Sequence, residues 1–160
     1  MSDKTIFIDP SLNNIGYAIY DNANHIVVQH GVFKSKGTSL QHKIKSIFDW
    51  LDEIVTLDIG SAIIEKPAPF AYSKVSTKAG KVINLSSLQE LCMAVGGMVM
   101  FFECRDIEVE FMPADKWKGK LGKNQVKQLT GIKNEHAADA YLMASVFNGM
   151  LTKPIASANK

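Results

Sequence analysis

Arginine is almost absent: Arg105 is the single one in 160 residues, and lysine carries the rest of the positive charge. Reading bases by paired hydrogen bonds favours the guanidinium fork, so any contact with nucleic acid is expected to follow the phosphate backbone rather than sequence. An excess of one charge is missing too, the formal net charge being +2. The total therefore announces no polyanionic partner, and only the distribution of charge can. Cysteine is scarce. Cys92 and Cys104 fall on one expected helix, roughly 18 Å apart, and cannot pair with each other. Two unpaired thiols without zinc-site spacing point to a reducing compartment. The longest apolar run, Cys92 to Phe102, is too short to span a bilayer. The chain enters a strand without a basic and apolar leader, so no secretion signal and a cytoplasmic location are expected. What is present, 46% hydrophobic residues at a mean hydropathy near zero, suits one compact domain. Its expected extent is residues 1–151, with 152–160 a polar, disordered tail.

Thr5 to Asp21 (TIFIDPSLNNIGYAIYD) reads as a β-hairpin, with Asp9 at the inner end of its first strand and a turn leading through Gly16 to Tyr17–Tyr20. A carboxylate so placed needs cations, donors or a raised pKa. Equally, an Asp-Pro turn lets Asp bond its own backbone, and the stretch alone leaves both readings open. His25 to Phe33 is a third strand, completing an antiparallel meander. Ser39 to Leu57 has a helical apolar period, and His42 sits among lysines on its solvated side. Ser61 to Lys66 is a short strand, expected parallel to the first and ending on Glu65. Pro67 and Pro69 then stop it. Ala68 to Ile83 carries Lys74, Lys78 and Lys81 with Phe70 and Tyr72 and no acid, a basic loop leaving directly from that acid.

Leu85 to Cys104 is apolar on nearly every helical face and is expected to be covered on two sides. One cover is the sheet. The other is a second copy of the chain, giving a homodimer, or else the C-terminal helix of the same chain. Gly96 and Gly97 fit a close approach between helices. Ile107 to Met112 alternates as a strand, with Ile107, Val109 and Phe111 on one face. From Met112 to Lys133 there are six lysines against one acid, Asp115, with Trp117 set among them, as on a phosphate-tracking surface or simply a soluble face. Asn124 to Leu129 is a short helix with Asn124 as its cap. Asn134 caps the last helix, where His136 and Asp139, three apart, share a face. Asp139 continues the inward stripe of Met143 and Val146, an unusual place for an acid.

Three separate segments thus bring Asp9, Glu65 and Asp139 into apolar surroundings. Clustered carboxylates repel unless a divalent cation lies between them, and oxygen ligands of this kind suit Mg²⁺ or Mn²⁺. Two such ions support in-line displacement at a phosphodiester. His136 is either a ligand or proton carrier there, or a hydrogen-bonded residue of the helix start; its shared face with Asp139 favours the former. Glu135 points elsewhere and reads as a first-turn dipole acid.

The ordered segments IDPSLNNIGYAI, IIEKP, KNQV and HAADAYLMA resemble the RuvC family of Holliday-junction resolvases, within the RNase H-like superfamily. The resemblance spans nearly the whole chain. It implies an α/β, RNase H-like fold: a five-stranded mixed sheet of order 3-2-1-4-5 with helices on both faces. It also implies that Asp9, Glu65, His136 and Asp139 match the four metal-site positions and hold two Mg²⁺ ions, replaceable by Mn²⁺. Lys123, opening KNQV, matches a basic residue used near the scissile phosphate and joins the catalytic set. A second family lysine corresponds to Lys116 or Lys118, which flank its offset, and Phe70 is the nearest match to an aromatic that wedges against bases. With Tyr72, Lys74, Lys78, Lys81 and Lys120, these complete the expected DNA-binding set. Ser11 replaces the Gly usual after Asp-Pro, which alters the turn or the approach of a phosphate. The implied activity is that of a homodimeric, Mg²⁺-dependent endonuclease, paired through the Leu85 to Cys104 helix. It would nick four-way DNA junctions symmetrically to leave 5′-phosphate and 3′-hydroxyl ends. The short chain looks like a phage or mobile-element version, acting in a bacterial host's cytoplasm and cutting other branched DNA as well. Two rival readings stand beside it: a non-catalytic branched-DNA-binding module, and an actin-like phosphotransferase, whose fold usually needs two such lobes.

Overall fold

Apolar residues at every position from Ile6 to Ile8 and again through Tyr17–Tyr20 suit strands covered on both faces, and the computed structural model forms them so. It describes residues 4–67 and 85–149. Phe70, Tyr72, Lys74, Lys78, Lys81 and the expected tail lie outside the described residues. β1 (Lys4–Asp9) pairs antiparallel with β2 (Asn14–Asp21), and β2 with β3 (Ile26–Lys34). α1 (Leu40–Ile54) follows, capped by the Ser39 hydroxyl, which accepts the His42 N–H at 3.3 Å. β4 (Ile59–Glu65) returns parallel to β1, and α2 (Leu85–Glu103) leads to β5 (Glu108–Met112), parallel to β4. Three helices complete the described chain: α3 (Ala114–Trp117), α4 (Lys123–Thr130) and α5 (Glu135–Phe147). The sheet order is β3-β2-β1-β4-β5, the mixed RNase H-like order expected from the resemblance.

The pleat divides the buried side chains between two cores. Ile6, Ile8, Ala62 and Ile64 face α1 and α2, where Trp50, Leu51, Met98 and Phe102 meet them. Phe7, Ala18, Tyr20 and Ile63 face α5 and its neighbours, meeting Leu142, Met143, Trp117 and Val126. Each fully buried side chain of this size contributes about 1.5–3 kcal/mol of transfer free energy. Helices therefore cover both faces.

Several expectations are corrected. α5 packs on the sheet face opposite α2, so it cannot be the second cover of α2, and Met93 and Met100 are left exposed. Gly97 does mark a close helix approach, since a Cβ there would lie 3.1 Å from Phe48 Cζ; Gly96 meets nothing within 4 Å. Phe111 shares the side of Val109 but is 41% exposed, because it lies at the rim of the edge strand beside a groove of about 300 Å³ lined by Cys92, Val95 and Gly96. Trp117 is fully buried rather than part of a phosphate-tracking surface: its ring is worth more in the second core than in water. α4 begins at Lys123 with Gly122 as its cap, not at Asn124, and Gln125 Oε1 reaches back to accept the Gly122 N–H at 2.8 Å. Among the described residues no helix is long and apolar enough to cross a membrane, and Cys92 and Cys104 are free thiols.

Candidate active site

Two strand ends and one helix start converge here for reasons of register. Side chains alternate along a strand, so Asp9 leaves on the same side as Phe7, and Glu65 on the same side as Ile63. Phe7 lies beside Ile63 and Ile8 beside Ile64 in the parallel pair, so the next residues, Asp9 and Glu65, emerge together towards α5. On the other side of β1, Asp9 is paired with Gly16 of β2. A Cβ at Gly16 would stand 2.0 Å from the carbonyl oxygen of His136, so glycine is what lets the first turn of α5 rest on β2. Asn134 fixes that turn, its Oδ1 accepting from the N–H groups of His136 and Ala137. His136 then reaches Asp9, Nδ1 to Oδ2 at 2.7 Å. One turn on, Asp139 is 6% exposed and its Oδ2 accepts from Lys118 Nζ at 2.7 Å. At the rim, Lys123 Nζ pairs with Glu135 Oε1 at 2.5 Å.

Burial and the mutual repulsion of the acids govern the electrostatics of the site. Burial pushes the Glu65 carboxyl up to about 8, helped by the Asp9 charge, a hydrogen bond with Asp9 and the Asp139 charge, while Lys118 opposes it. Asp139 is also raised by burial, against the hydrogen bond from Lys118. The hydrogen bond to Asp9 raises His136 despite its partial burial. Lys123 holds Glu135 low, and Glu135 raises Lys123, each through their shared hydrogen bond. Asp139 Oδ1 is buried and has no hydrogen-bond partner among the described residues. Three carboxylates and an imidazole, one carboxylate oxygen unpaired, fit the donor chemistry of a hard divalent ion. Among the described residues no group of three or more His, Cys, Asp or Glu is already drawn together as a metal cluster. The acids are instead joined pairwise, to Lys118, to His136 and to each other.

Of the residues picked out from the sequence, Asp9, Glu65, His136 and Asp139 are brought together, and Lys123 stands at the edge. Lys118 is the lysine at the carboxylates; Lys116 and Lys120 are exposed. Glu135 is the first-turn acid of α5, as expected, and it pairs with Lys123. Gly16 was legible only as a turn residue, although it sits within β2. A glycine inside a strand is itself a sign of close backbone approach, which is the signal that could have found it.

No family model and no curated protein matches the sequence. Among solved structures, the chain is similar to Thermus thermophilus RuvC in complex with a Holliday junction substrate, at 13% identity and a TM-score of 0.61. A second structure of Thermus thermophilus RuvC gives 13% identity and a TM-score of 0.60. Both alignments cover 94% of this chain and 97% of the other. Sheet order, helix placement and these two alignments agree that the chain has the RNase H-like fold of Thermus thermophilus RuvC.

Proposed function

We propose that this protein is a RuvC-type, structure-specific endonuclease that resolves four-way DNA junctions by paired symmetric nicks, leaving 5′-phosphate and 3′-hydroxyl ends. The observation that carries this is the meeting of Asp9, Glu65, His136 and Asp139, from β1, β4 and α5, in one partly buried cluster of mutually repelling acids. These four residues would hold two Mg²⁺ ions, or Mn²⁺ in their place. Bound there, such ions supply a nucleophile at neutral pH and compensate the charge on the leaving 3′ oxygen. Asp9 orients the His136 ring through Nδ1, which fixes where the opposite ring nitrogen points. Lys118 and Lys123 bring ammonium groups to the border of the acids, where a substrate phosphate must enter. Lys116 and Lys120 extend this basic edge, and the segment after β4, with Phe70, Tyr72, Lys74, Lys78 and Lys81, supplies the remaining DNA contacts, Phe70 wedging against bases.

Paired nicks need two sites, and the exposed Met93 and Met100 on α2 support a homodimer through that helix. The near-absence of arginine favours a second reading of substrate range, a nuclease that follows backbone shape and also cuts forks and flaps. Labelled four-way junctions, forks, flaps and linear duplexes incubated with Mg²⁺ or Mn²⁺ test both. Asp9→Asn should retain junction binding and lose more activity than the roughly 10–100-fold that an outer-shell partner costs. Unimpaired cutting by that variant would remove the two-ion proposal, and its failure to bind junctions would remove the separation of binding from chemistry.

A further inference from the structure

Lys118 is held more firmly than a surface lysine. Its backbone N–H bonds to Ala114 O at 2.8 Å, and the preceding Trp117 is fully buried, so the residue has a fixed origin at the end of α3. From there the ammonium passes the Trp117 ring at 5.2 Å from its centroid and reaches Asp139 Oδ2 at 2.7 Å. The Lys118 and Asp139 side chains are only 20% and 9% exposed. The ammonium also acts on Glu65, which it pulls against the effects of burial and neighbouring acids. His136 is already committed to Asp9, and Lys123 to Glu135. Among the described residues, Lys118 is therefore the cation that pairs with Asp139.

We propose that Lys118 is a resident counter-ion of Asp139, which a divalent ion must displace, so that metal loading and the release of this ammonium towards substrate are one event. The proposal rests on the metal-dependent reading above. A divalent ion received at Asp139 Oδ1, buried and unpartnered, would stand on the same carboxylate as the ammonium at Oδ2, and two cations that close in a partly buried site repel strongly. In the absence of metal the lysine keeps a buried acid from standing uncompensated. In its presence, the same lysine is set free beside the entry point of a phosphate. Metal affinity is then set by competition, and removing the competitor should tighten binding.

The probe is Mn²⁺ alone, added without DNA to chelator-stripped full-length protein, with free Mn²⁺ followed by electron paramagnetic resonance. Lys118→Met keeps the length and packing of the stem, and Lys118→Gln serves if the first variant does not fold. The neutral variant should bind Mn²⁺ tighter than wild type by roughly 5–150-fold, the usual span of coupling between competing sites. Lys118→Arg should stay near wild type. Thermal melting adds an independent readout: the neutral variant should melt below wild type in chelator, and the gap should close in saturating Mn²⁺. Unchanged or weaker Mn²⁺ binding by the neutral variant overturns the displacement proposal while leaving the nuclease reading intact. A wild-type protein that binds no Mn²⁺ at all overturns the two-ion reading and this proposal with it.

Discussion

Glu65 is the residue whose chemistry is easiest to interrogate. Its carboxyl is pushed up to about 8 in the folded protein, against an ordinary value of 4.5, so the folded state holds a proton that the unfolded chain releases. Its contribution to metal-free stability is therefore complete below about pH 4.5 and is lost as pH rises towards 8. Asp139 and His136, both raised, act in the same direction. Denaturant titrations in chelator should show metal-free stability falling across this window, and Glu65→Gln should flatten the fall; an equally steep fall in that variant would place the titrating group elsewhere. Divalent ions favour the deprotonated acids, so Mn²⁺ should bind more tightly as pH is raised through the same range, measurable by calorimetry. The pair of Lys123 with Glu135 is more exposed, and replacing either by Ala should cost under about 1 kcal/mol of stability.

At the level of elements, the site depends on α5 lying directly on β2. Gly16→Ala would put a methyl group 2.0 Å from the His136 carbonyl oxygen and 2.4 Å from its carbon, and backbone cannot step aside as a flexible side chain does. The first turn of α5 must retreat, separating His136 from Asp9. A loss of about 1–3 kcal/mol in denaturant stability is expected, together with loss of junction cutting. Full activity in this variant would show that the His136 to Asp9 contact is dispensable. Asn134→Ala, which removes the side-chain cap of the same turn, should cost ~1 kcal/mol. The two glycines of α2 should behave oppositely. Gly96→Ala, with open space among the described residues, should stabilise the helix by about 0.5–1 kcal/mol, whereas Gly97→Ala must push against Phe48.

For the whole molecule, the question is what covers the outer side of α2. Met93 and Met100 are 53% and 62% exposed, on a helix whose other side is built into the first core. An apolar face of this kind is costly to leave in water. If two copies join there, Met100→Glu should convert the protein to monomer in sedimentation equilibrium while the fold, monitored by circular dichroism, is retained. A wild-type protein already monomeric at micromolar concentration would remove the homodimer through α2.

The individual strands and helices were readable because each segment carries a strong period, and short connections set the meander and the parallel return, whereas the full sheet order with helices on both faces was implied by the resemblance of the ordered motifs. Asp9, Glu65 and Asp139 stood out as acids at positions where the pattern demands burial, and His136 for the helix face it shares with Asp139. These the linear chain determined. Contacts between segments with no shared period were decided only by the tertiary structure. It chose Lys118 over Lys116, because burial of Trp117 sets which neighbour faces Asp139. It gave Glu135 its partner Lys123, sent α5 to the far side of the sheet from α2, and turned Gly16 from a turn residue into the floor beneath His136. Periodicity records which face of an element is buried, but not against what, and the charge balance of this site is a matter of what meets what.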